Sequence, residues 1–168
     1  MSAVTKTCEV IEKTLGKSPA FRKVEENLYV VKQGSAYVTV SILPSKKKPE
    51  RPLVRIYAQF VSGVRPEAAL FRQLLTINAR MRFGAFAYVA EGDLILFVHS
   101  ILGGDLIDPH ELLATVSDIA LTADAYDDRI VAQFGGQRMQ DVLEESAMAH
   151  ILGGSEDGEG NVHWDETN

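Results

Sequence analysis

Cysteine is nearly absent: Cys8 is the only one, which excludes an internal disulfide and fits a reducing, cytoplasmic setting. No apolar run reaches the roughly 18 residues that mark a membrane span, so no membrane partner is expected. Residues 1–15 carry charges throughout and lack the apolar core of a signal peptide. The four histidines, His99, His110, His150 and His163, show no ligand spacing to one another, so the sequence gives no metal site. There is no G-x-S-x-G elbow, and Cys8 falls on the inward stripe of the first helix, where a thiol is usually inert. Gly103-Gly104-Asp105 lacks the spacing of a phosphate loop and reads as a strand-to-helix connection. Gly135-Gly136-Gln137 matches the tripeptide of peptide-release factors, but it follows a long helix directly, and glycine capping explains it better. These absences leave no catalytic residue, metal ligand or cofactor, and the expectation is a protein that is not an enzyme.

Charge is modest and unevenly placed. The net charge of −6 disfavours a general nucleic-acid binder, because phosphate affinity comes from clustered Lys and Arg. Residues 136–168 hold eight acidic groups and one basic group, so the remainder of the chain is close to neutral. The acidity belongs to the tail. Lys46-Lys47-Lys48 and Arg51, framed by prolines, form one short basic loop without interleaved aromatics, which reads as a solvated loop. The other readings are contact with nucleic acid, with an acidic lipid surface or with the chain's own acidic tail.

With 168 residues and 46% hydrophobic content, the chain has material for one sizeable core. Val4, Cys8, Ile11 and Leu15 recur at helical spacing in residues 4–15, and Gly16 stops that helix. Strands are expected at 27–32, 35–42 and 53–60; the last two alternate as half-buried strands with one wet or weakly covered face. Residues 66–102 then read as helix, strand, turn, strand. Leu70, Phe71, Leu74, Leu75, Ile77 and Met81 form the helix stripe, and Glu91-Gly92 turns one strand into the next. In the second strand Leu94, Ile95, Leu96, Phe97 and Val98 leave neither face polar, so something must lie against each side. Asp108-Pro109-His110-Glu111 supplies a cap, a first-turn proline and a first-turn acid for a helix that runs to Phe134. A short amphipathic helix at 139–152 and a disordered acidic tail follow. The expected fold is α+β, a five-stranded antiparallel sheet packed by helices in the order α-β-β-β-α-β-β-α. The domain covers residues 1–135, with 136–168 as helix and tail.

The segment LLTINARMRFGAFAYVAEGDLILFVHSI and the capped helix after it resemble the YbjN family, small bacterial domains that share the fold of type III secretion chaperones. The matching features are Leu74-Leu75 with Asn78 late in the central helix, Phe83-Gly84 entering a strand, the Glu91-Gly92 turn, and Tyr126-Asp127 in the last helix. The resemblance implies a peptide- or protein-binding module, often a homodimer, with no known chemistry. Proteins of this family are loosely described as sensory-transduction regulators. The acidic tail departs from the family pattern.

Several residues then carry site expectations. Ala85, Ala87 and Val89 make a small face that lets a helix approach, which turns Phe86 and Tyr88 to the opposite side. Phe86 and Tyr88, with Phe71, Leu74 and Leu75 of the central helix, are expected to form a homodimer or partner surface. The competing expectation is that the helix at 139–152 folds back over it. Val10, Ile11, Leu28 and Tyr29 are the expected groove for an unknown protein or peptide client, although core packing explains much of the same pattern. Asp124, Asp127 and Asp128 share one helix edge, which is more simply solvated than metal-binding. Asn78 lies on the apolar side of its helix, where an amide needs partners; bonding the loop at 80–83 is the simpler reading and a ligand contact the other. A small-molecule sensor, with a pocket between helix and sheet, is the alternative function.

Overall fold

The computed structural model describes residues 1–34, 36–143 and 145. Its elements run α1 (Ala3–Leu15), β1 (Phe21–Glu25), β2 (Leu28–Gln33), β3 (Ala36–Leu43), β4 (Leu53–Ser62), α2 (Ala68–Asn78), β5 (Ala85–Val89), β6 (Leu94–Leu102), α3 (Pro109–Phe134) and β7 (Gln137–Arg138), with a single 3₁₀ turn at Gly104–Leu106. The architecture is α+β and antiparallel as expected, but the sheet has seven strands rather than five, in the order β1-β2-β3-β4-β6-β5 with β7 on β4. Two strands escape the periodicity argument. β1 has only Phe21 half-buried and the rest exposed, so it shows no inside-outside alternation. β7 is two residues long. The element order is corrected accordingly.

Each helix begins and ends for a local reason. Ser2 caps α1, its hydroxyl accepting from the Thr5 amide at 3.1 Å. Asp108 caps α3 by accepting from the His110 amide at 2.8 Å, with Pro109 in the first turn. That amide, and then the His110 side chain, holds the Asp108 carboxyl below the ordinary carboxylate range. Gly135 stops α3, its amide returning to the Val131 carbonyl at 2.9 Å. Gly136 follows at φ 87°, and a Cβ there would meet the Ser62 carbonyl oxygen at 2.4 Å. That close approach lets β7 pair with Val61 and Ser62 of β4.

The helices cover one face of the sheet. α3 crosses β2, β3, β4 and β6, α1 packs beside it, and α2 packs on β5. The core is the inward set of each strand, Val38, Val40, Ile42, Val54, Ile56, Ala58 and Ile95, against Ile11, Leu112, Ile119 and Ile130 of the helices. A register shift between Gln59 and Val61 lets Phe60 and Val61 both point inward. Thr7 ties α1 to the turn before α3. Its buried hydroxyl donates to the Ala3 carbonyl and accepts from the Gly104 amide, both at 2.7 Å. The expected helix at 139–152 lies mostly outside the described residues, of which 139–143 are helical. The expected disordered tail lies wholly outside them.

Candidate functional site: the open face of the sheet

Among the described residues nothing covers the sheet face opposite the helices. Directly paired residues share a face, so the register gives the surface in rows: Ala85, Val98, Tyr57 and Thr39; then Ala87, Leu96 and Gln59; then Ser100, Arg55 and Ser41; then Leu102, Leu53 and Leu43. The middle of this face is concave, about 790 Å³, with Tyr57, Leu96, Val98 and Ala87 as apolar floor and Arg55 as its one cation. Leu53 and Leu102 remain 40% and 43% exposed at one end, next to the loop carrying Lys46, Lys47, Lys48 and Arg51. β6 alternates between fully buried Ile95 and Phe97 on the helix side and half-buried Leu94, Leu96 and Val98 on the open side.

Covering is reversed on β5. Phe86, not the alanines, faces the helices, and it is ringed edge-on by Phe60 at 5.5 Å, Phe97 at 5.0 Å and Tyr126 at 5.2 Å. Ala85 and Ala87 therefore face the open side. Period two fixes which residues share a face; only the aromatic cluster beneath α2 and α3 decides which face is inside. Of the expected dimer set, Phe86 and Leu74 are core, at 6% and 4% exposure. Phe71 and Tyr88 meet edge-on at 5.1 Å and are half-buried. The Tyr88 phenol donates to Asp93 at 2.5 Å, and that hydrogen bond raises its pKa. Only Leu75, 67% exposed, stands fully at the surface.

The four residues of the expected client groove are not brought onto one surface. Ile11 and Tyr29 are fully buried on the helix side. The Tyr29 hydroxyl donates to Glu12 at 3.1 Å, Phe21 stacks on its ring at 5.6 Å, and burial pushes the phenol pKa well up. Val10 is half-exposed on α1, whereas Leu28 pairs with Ser41 and belongs to the open face. Cys8 is half-buried, its thiol 3.9 Å from the Glu26 carbonyl and from the Asn27 side chain.

Remaining candidates have structural employment. His99 lies on the helix-side parity of β6, accepts from the Gly84 amide at 3.2 Å and meets the Phe83 ring at 5.4 Å. His110 is a solvent-exposed first-turn residue. His150 and His163 lie outside the described residues. Arg138 reaches Asp128 at 3.1 Å and Asp141 at 2.8 Å, while Asp127 is half-buried and its carboxyl is pushed up by desolvation. The Asn78 carbonyl accepts from the Met81 amide of the loop at 80–83 at 3.2 Å, but its side chain turns to neither that loop nor an open pocket. Its side chain accepts from the Phe86 amide at 2.7 Å and donates to the Phe86 carbonyl at 3.1 Å. A second concavity, about 710 Å³, lies between α2 and α3 rather than between helix and sheet, floored by Ala69, Ile77 and Ile130 and rimmed by Arg72 and Arg129. Among the described residues no helix is long and apolar enough to cross a membrane, and no group of three or more His, Cys, Asp or Glu is placed to hold a metal ion.

Comparison with known proteins agrees with this architecture. A chain in the crystal structure of the ExsC-ExsE complex superposes with a TM-score of 0.57 at 20% identity, covering 77% of this chain and 97% of that one. At that identity the likeness is one of fold. No curated protein sequence matches. The sequence model of one family, described as T3SS (YopN, CesT) and YbjN peptide-binding chaperone 1, matches residues 4–142. That span takes in the elements from α1, less its first residue, to β7, and the chain therefore belongs to the TY-Chap1 family of peptide-binding chaperones.

Proposed function

We propose that this chain receives an extended segment of a client protein on the open face of its sheet. The observation that carries the reading is β6. Leu94, Leu96 and Val98 are only half-buried on a strand whose alternate residues are core, and a strand apolar on both faces gains stability when the second face is covered. An extended peptide presents side chains at the same two-residue period as the rows beneath it, and Arg55 offers a charged donor among apolar contacts. Leu28 extends the face toward β2; Val10 is the remaining surface residue of the expected groove. A second copy of the chain is seated on the outer side of α2, over Leu75 and the exposed edges of Phe71 and Tyr88. The chain works in the cytoplasm without chemistry of its own, residues 1–135 forming the binding unit and 136–168 an appendage.

The test uses the full chain as tagged bait in the source cell, beside Leu96→Asp/Val98→Asp and Leu75→Asp baits whose melting has been checked. A client captured by the first and third baits and lost from the second supports the reading. An unchanged set of proteins on the Leu96→Asp/Val98→Asp bait defeats it. Light scattering at the 18.5 kDa monomer mass for the unmodified chain would remove the dimer. The second reading, a small-molecule sensor, draws on the concavity between α2 and α3, and a ligand screen by thermal shift separates it, since a ligand that binds only the folded state raises Tm.

A further inference from the structure

We infer that the client segment presents an Asp or Glu side chain to Arg55, with an apolar side chain two residues away on either side. This rests on the reading of the open face as a peptide-receiving surface and specifies the sequence that face selects.

The rows of the face are the first support, because they alternate in character along β4. Leu43, Leu53 and Leu102 form an apolar row. Ser41, Arg55 and Ser100 form a polar one. Tyr57 and Val98 lead the apolar row on its other side. Successive rows are two residues apart, about 6.6 Å at about 3.3 Å per residue. An extended segment laid along β4 repeats its facing side chains at that same interval, since packed strands lie nearly aligned. A side chain over Arg55 therefore sets its two facing neighbours over the leucine row and over Tyr57 and Val98.

Charge is the second support. Among the described residues Arg55 has no ion pair, and the Ser41 and Ser100 hydroxyls have no hydrogen-bond partner. Glu25 shares the face but pairs with Leu28, three strands from Arg55. That is about 14 Å at the spacing of paired strands, beyond the Debye length of about 8 Å at physiological salt. Past the leucine row, the β3–β4 loop sets Lys46, Lys47, Lys48 and Arg51 against Glu50. The field over the row is positive.

Recognition follows from these two facts. A carboxylate over Arg55 accepts both N–H groups of the guanidinium, a charge-assisted and directional pair. The serine hydroxyls stand one strand away on either side, about 4.8 Å, as further donors. An apolar residue there would take the guanidinium and both hydroxyls out of water unpaired. The row thus selects by penalty as well as by attraction.

Two-dimensional NMR of the nitrogen-15-labelled full-length chain, titrated with synthetic peptides, reads affinity and position together. The probe is acetyl-Thr-Leu-Thr-Glu-Thr-Leu-Thr-amide. Its companions carry Gln or Lys in place of Glu, or have each Leu moved one residue inward, onto the opposite face of the strand. The Glu peptide is expected to shift the Ser41, Arg55 and Ser100 amides and to bind several-fold tighter than every companion. Its margin over the Gln peptide should shrink at high salt. Arg55→Glu should reverse the order and make the Lys peptide the tightest. Arg55→Gln should abolish the preference for charge, with both variants keeping the spectrum of a folded chain. Equal affinities for the Glu, Gln and Lys peptides would overturn the inference, as would an order that Arg55→Glu leaves unchanged. Shifts centred away from this row, or no binding of the Glu peptide up to millimolar concentration, would overturn it too. The reading beneath it is judged separately by capture. A client lost from the Leu96→Asp/Val98→Asp bait but kept by an Arg55→Glu bait means that the face receives clients without selecting for acid. Unchanged sets on both baits mean that it receives none.

Discussion

Asn78 shows how one side chain can finish a sheet. β5 is an edge strand, and the outward amide and carbonyl of Phe86 would otherwise be open to a neighbouring strand. The Asn78 carboxamide takes both, at 2.7 Å and 3.1 Å, in the way a paired strand would. Leucine at this position keeps the volume and loses both bonds. Asn78→Leu is therefore expected to lower stability by about 2 kcal/mol, on the cost of leaving part-buried backbone groups unpaired, with the denaturant slope unchanged. Urea unfolding measures it, and a loss within error of zero would mean that water replaces the amide at no cost. The sequence placed Asn78 on the apolar side of its helix and required partners for it. It could not identify them, because Phe86 comes to the amide through a turn whose path depends on tertiary packing.

Elements were legible where their ends carry chemistry. The cap of α3 is written in Asp108 and Pro109, its stop in Gly135, and the β5–β6 turn in Glu91-Gly92. β1 was not legible, since an edge strand with four exposed residues has no buried face to impose alternation. β7 was not legible either, since its two residues are placed by the glycine pair before them and not by their own side chains. That dependence is testable. Gly136 has φ 87°, and a Cβ would sit 2.4 Å from the Ser62 oxygen, so alanine meets both backbone strain and a backbone clash. Gly136→Ala is expected to cost about 2 kcal/mol or more and to release β7 from β4. Amide exchange at Val61 and Ser62 reports the release, and unchanged protection there would contradict it. The open face was half legible. The wet faces of β3 and β4 and the apolar second face of β6 were readable, but the side of β5 that joins them was set by the Phe86 cluster.

For the whole molecule, the carboxylates predict how stability responds to acid. Glu12 is held low first by Lys23, Asp105 by Lys6, Asp108 by the His110 amide and Asp141 by Arg138. Each has a folded pKa below its unfolded value, so the stability it lends is complete above the unfolded value and lost as pH falls through the folded one. The loss should begin near pH 4, about the ordinary carboxylate value, and deepen below it. Asp127 opposes this. Desolvation raises its carboxyl despite the Asp128 amide bond at 2.6 Å, with Asp124 and Asp128 repelling and Arg138 attracting. Its charge penalises the fold above its folded pKa, and protonation relieves the penalty as pH falls. Asp127→Asn keeps an oxygen for the Asp128 amide and removes the charge. The variant should be more stable than the parent at neutral pH, and the gap should close in acid, where the parent's own carboxyl is neutral. Four groups lose against one that gains, so the parent's urea midpoint should fall from neutral toward about pH 3. A midpoint for Asp127→Asn below the parent's at neutral pH would mean that Arg138 and the amide outweigh burial at this site.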